Sequence, residues 1–118
     1  MNVLAPSRPI DLEHLERYTG GDVALNSEVL TLFIGQAEQL IAKLRIQLER
    51  RDAKAWRETN HALKGAARGV GAFALADTAA ACEPMDLVAQ GTEAGNLVEH
   101  LRSQSHAVKL FVEAYLKK

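Results

Sequence analysis

Cysteine is almost missing from this chain of 118 residues: Cys82 stands alone, so no internal disulfide can form. That usage fits a reducing compartment, and a cytoplasmic location is expected. Long apolar runs are missing too, and no stretch approaches the ~20 residues with which a helix crosses a bilayer. The opening MNVLAPSRPI has no basic region followed by an apolar run, so no signal peptide is expected. An excess of one charge is also lacking, since 14 Lys and Arg stand against 15 Asp and Glu, for a net charge of −1. This balance argues against bulk electrostatic binding to nucleic acid or an anionic membrane. Strand signals are nearly absent: β-branched residues are scattered and no run alternates with period two.

Helix punctuation, by contrast, is plentiful. After a leader of residues 1–10, one domain over residues 11–118 is expected. Asp11 can cap a short helix reaching about Tyr18, which TGGD ends, and Asp22 opens a long one. Leu25, Val29, Phe33, Ala37, Leu40, Leu44 and Leu48 form its apolar stripe, widened by Leu30, Ile34 and Ile41. Asp52 caps a third helix over about Ala53–Val70, and a turn near GVGA leads to a fourth over about Phe73–Gln90. Pro84 lies inside the fourth and is expected to kink or split it. GTEAGN reads as a loop or a frayed start before the last helix. The expected fold is all-α: an antiparallel up-down four-helix bundle with a short additional N-terminal helix.

The third helix holds the informative stretch, TNHALKGAARGVGA. It contains three glycines within seven residues, and each costs a helix interior roughly 0.5–1 kcal/mol against alanine. Stepping about 100° per residue places Trp56, Thr59, Leu63, Ala66 and Val70 on the core side. Lys54, Arg57, His61, Lys64, Gly65, Arg68 and Ala72 fall on the opposite side. His61 is therefore expected in solvent, mid-helix, in a stripe with four cations and no carboxylate, with Glu58 at its edge. A neutral imidazole is a competent nucleophile near neutral pH. A phosphoryl group placed on it would add about two negative charges, which Lys64 one turn away could partly neutralise. Gly65, lacking a Cβ, would leave the ring open to a second protein.

His61-Ala-Leu-Lys-Gly-Ala-Ala67, followed by Gly71-Ala72, resembles the signature of histidine-containing phosphotransfer (HPt) domains of bacterial two-component phosphorelays. Leu75 and Glu83 match a Leu and a Glu on the family's next helix, and Ala89-Gln-Gly91 is similar to its Ala-Arg-x-Gly ending. IDLEHLERYTGGD is similar to its opening helix and turn. The resemblance implies a phosphoryl carrier with no kinase activity of its own. His61 would accept the group through Nε2 from an aspartyl phosphate on the receiver domain of a hybrid histidine kinase. It would then pass it to the receiver of a response regulator. Lys64 would stabilise the phosphoryl group and Gly65 would give access. The chain itself would need no metal or other cofactor, because Mg²⁺ and the carboxylates belong to the receiver. Arg57, Arg68, Lys54, Asn60 and Ala72 are the further candidates for partner contact. Asn60 and Arg68 depart from the family's usual small residues.

Other motifs lead nowhere. Gly69-Val-Gly-Ala-Phe-Ala74 fits a loose dinucleotide fingerprint, but a helix rather than a strand precedes it. His14, His100, His106 and Cys82 have no metal-ligand spacing. The rival reading is an adaptor bundle that docks and inhibits a receiver or kinase without being phosphorylated. No dimer seam is evident, so a monomer is expected.

Overall fold

The computed structural model describes residues 8–117, and among them every regular element is a helix. The order is α1 (Leu12–Thr19), α2 (Val23–Arg50), α3 (Ala53–Val70), α4 (Phe73–Cys82) and α5 (Gly91–Leu116). Three aspartates start the first three helices in the same way. The carboxylates of Asp11, Asp22 and Asp52 accept from the backbone N–H of His14, Leu25 and Ala55, each at 3.1 Å. These contacts satisfy donors that have no partner inside the helix. Left-handed residues stop them: Gly20 at φ 68°, Arg51 at φ 50° and Gly71 at φ 85°.

Cross-links show the antiparallel packing. Gln47 of α2 donates to Thr59 Oγ1 of α3 at 2.9 Å, just across the Arg51–Asp52 turn. Arg45 pairs with Glu99 towards one end of the α2–α5 contact, while Asn26 donates to the Tyr115 hydroxyl at 3.0 Å at the other. Leu30, Phe33, Leu44, Trp56, Leu63, Leu75 and Leu101 fill the centre. α1 closes one end of it through Leu15. None of the described helices is long and apolar enough to cross a membrane.

Four details differ from expectation. The α2 stripe is as expected except at its start: Leu30, Phe33, Ala37, Ile41 and Leu44 are buried and Val29, Ile34, Leu40 and Leu48 pack against them, whereas Leu25 is 40% exposed. Buried Asn26 takes a place on the core side, its amide occupied by Tyr115. Secondly, α4 ends at Cys82 instead of reaching Gln90. Pro84 has no N–H to continue the ladder and its ring opposes the preceding turn. A turn follows, in which the Asp86 carboxylate accepts from the backbone N–H of Val88 and Ala89. Thirdly, GTEAGN is helical from Gly91, with Ala94 fully buried. Finally, residues 1–7 of the expected leader lie outside the described residues, while Ile10 is fully buried in the core.

Gly71 joins three helices. Its carbonyl accepts from the backbone N–H of Asp11 at 2.9 Å, which ties the start of α1 to the α3–α4 turn. A Cβ at Gly71 would lie 2.7 Å from the Asp11 carbonyl oxygen. Backbone cannot yield as a flexible side chain does. Gly71→Ala is therefore expected to destabilise the fold by about 2 kcal/mol or more, through the left-handed φ and the clash together. Urea denaturation checks this, and an unchanged midpoint would refute it.

Candidate functional site

α3 presents the imidazole as the periodicity implies. The His61 side chain is 72% exposed in the middle of the helix. Lys54, Arg57, Gly65 and Arg68 are exposed with it, and no atom comes within 4 Å of the place where a Gly65 Cβ would stand. Among the described residues, none of these three cations has an acidic partner.

Lys64 is different. Its side chain is only 19% exposed, and its ammonium sits 2.8 Å from Glu83 Oε1. The other carboxylate oxygen, Oε2, lies 3.5 Å from His61 Nδ1. The face read as free of carboxylates thus receives one from the end of the neighbouring helix. The Lys64 hydrogen bond is the main reason that the Glu83 carboxyl is held below its ordinary value, with the charges of Lys64 and His61 adding to it. Because Nδ1 faces Glu83, Nε2 is the nitrogen on the far side of the ring from α4.

The core behind the site sets where Glu83 stands. Trp56 is fully buried, and its indole N–H donates to the Cys82 carbonyl at 2.7 Å. This bond pins the last residue of α4, and Glu83 follows directly. Burial raises the Cys82 thiol to about 11, so it stays protonated and unreactive.

Two candidates for partner contact are misplaced. Asn60 is fully buried, and its amide donates to the Trp56 carbonyl at 3.1 Å. It lies one residue, about 100°, from His61, on the side that α4 covers. Ala72 is also fully buried. The left-handed turn at Gly71 ends the helical period, so the angular step from His61 does not extend to it. Ala66 is only half-buried, and Ala67 takes its place in the core.

Residues 28–110 match the Hpt domain family, and the chain belongs to it. Family members are phosphocarriers of histidine phosphotransfer in phosphorelays. The fold is also that of the histidine-containing phosphotransfer protein B (HptB) from Pseudomonas aeruginosa PAO1. That crystal structure is 23% identical, with a TM-score of 0.82 over 96% of this chain and 99% of that one. No curated protein matches the chain significantly.

The Lys64–Glu83 pair generates a prediction for acid stability. A carboxyl whose value is lowered by folding stabilises the native state above its ordinary value of 4.5. That contribution is lost as pH falls through the depressed value. Lys64→Met is expected to raise the Glu83 carboxyl towards 4.5 and to flatten this part of the pH–stability curve. NMR titration of the Glu83 side chain, with melting curves across the acid range, tests both, and an unmoved Glu83 titration would contradict the assignment.

Proposed function

We propose that this chain carries a phosphoryl group between the aspartates of two receiver domains, one on a hybrid histidine kinase and one on a response regulator, with His61 as acceptor. The observation that carries the reading is the exposed ring of His61 with Nδ1 turned to Glu83. A neutral imidazole protonated on Nδ1 keeps its lone pair on Nε2. That lone pair attacks phosphorus, the P–O bond to the donor aspartate breaks, and the electron pair leaves with the carboxylate. The reverse sequence at a second aspartate completes the relay.

The chain's share of the work is positioning and charge. α3 fixes the imidazole between packed turns. Lys64, an ammonium with three donors, can serve a phosphoryl oxygen while it remains bonded to Glu83. Gly65 leaves room for the receiver, and Arg57, Arg68 and Lys54 face its acidic pocket. In this reading Mg²⁺ is supplied by the receiver, no kinase activity resides in this chain, and it works as a cytoplasmic monomer.

The decisive experiment is incubation with a phosphorylated receiver. Acid-labile, alkali-stable phosphate is expected on the wild type and none on His61→Gln, with unchanged circular dichroism. A folded wild type that docks a receiver but takes up no phosphate would establish the adaptor instead. Gly65→Gln is expected to keep or raise stability, by up to about 1 kcal/mol from helix propensity. It is also expected to slow transfer from the receiver at least tenfold, on the order of a lost docking contact. Undiminished transfer would mean that Gly65 has no part in access.

A further inference from the structure

Trp56 is fully buried, and its one polar side-chain atom is engaged by the neighbouring helix. We propose that Trp56 is a positioning residue of the phosphotransfer site. Its indole N–H, by holding the Cys82 carbonyl, fixes the end of α4 and so sets where the Lys64 ammonium stands beside His61. The proposal rests on His61 being the acceptor, and it adds to that reading a residue that no receiver can reach.

The end of α4 is short of backbone hydrogen bonds. In an unbroken helix the N–H of residue 84 bonds to the Ala80 carbonyl, but Pro84 has none to give. Beyond it, the Cys82 carbonyl accepts from the Met85 N–H at 3.1 Å. That carbonyl has a second lone pair, and the Trp56 indole N–H donates to it at 2.7 Å. The bond therefore enters where α4 has lost part of its own ladder, one residue before Glu83.

Among the described residues, two side-chain hydrogen bonds join α3 to this end of α4. The outer one, from Lys64 to Glu83 at 2.8 Å, joins two side chains with several rotatable bonds. The inner one has a rigid donor, its bicycle locked in the packed core, and no water competes for it. The inner bond thus fixes the backbone from which Glu83 extends, and the outer bond follows. Left to α3 alone, the Lys64 ammonium would sweep through many rotamers and lose that freedom only when the phosphoryl group arrived. Tied to a fixed Glu83, it is held within one carboxylate's width of the ring before any partner docks.

Trp56 is the single tryptophan of the chain, so its indole can be exchanged at that place alone. Biosynthetic replacement by benzothienylalanine keeps the bicyclic shape and puts sulfur, which cannot donate, where the N–H was. Three quantities are measured on the full chain: the rate of phosphoryl uptake at rising concentrations of a phosphorylated receiver, the Glu83 titration by NMR, and the melting curve. The maximal rate is expected to fall about threefold to tenfold, on the order of one lost hydrogen bond. The half-saturating receiver concentration is expected to stay unchanged, because a fully buried residue makes no docking contact. The Glu83 carboxyl is expected to titrate closer to its ordinary 4.5, since the Lys64 bond that lowers it is loosened. Trp56→Phe, which removes the N–H together with part of the ring, is the second variant and is expected to move rate and titration the same way. A substituted protein that melts lower, yet transfers at the wild-type rate with an unmoved Glu83, would show a tryptophan that serves the core alone and overturn the proposal. A change confined to the half-saturating concentration would overturn it as well. Both outcomes leave the acceptor reading intact, whereas a wild type that takes no phosphate on His61 removes that reading and the proposal with it.

Discussion

The left-handed backbone at Gly71 is the constraint on which the arrangement depends. It ends α3, starts α4 within two residues, and offers the carbonyl that holds the first residue of the α1 cap. Because α4 turns back tightly along α3, its last residues come level with the middle of α3. That return brings Glu83 to Lys64 and His61. A looser connection with the same helices would leave the imidazole in the same solvent but without its carboxylate.

The site is therefore built by two helices rather than one. α3 supplies the imidazole, the ammonium and the open glycine. α4 supplies the counter-charge, fixed from below by Trp56 and stopped at the right residue by Pro84. The proline that looks like a defect in a long helix is the reason that Glu83 sits at an end, where its side chain reaches across to α3. The site's electrostatics then become a three-body matter. Lys64 is neither a free cation nor wholly spent, and the ring is oriented before any partner arrives.

Much of this was legible from residue order. The aspartate caps of α1, α2 and α3 follow from local hydrogen bonding. The boundaries of α3, Ala53–Val70, agree with the reading from caps and glycines. The exposure of His61 follows from its angle on a helix whose apolar positions are unambiguous. For Leu25, Ala66 and Asn60 the pattern along one helix is not enough, because a neighbour decides which edge of a stripe is covered. Asn60 is polar and lies beside the site's histidine, but α4 covers its side of α3. Ala72 follows the left-handed turn at Gly71, which resets the period.

Read alone, the amino-acid order determined the helices, their caps and a mid-helix histidine in water, because capping and 3.6-residue periodicity are local properties. It also placed the chain in its family, through the motif from His61 to Ala72 and matching residues on the neighbouring helices. Only the tertiary structure decided that Lys64 has a partner, that Glu83 touches the ring, and that Asn60 lies in the interior. Those contacts join positions about twenty residues apart, as Lys64 and Glu83 are, and they depend on how tightly one helix folds back on another.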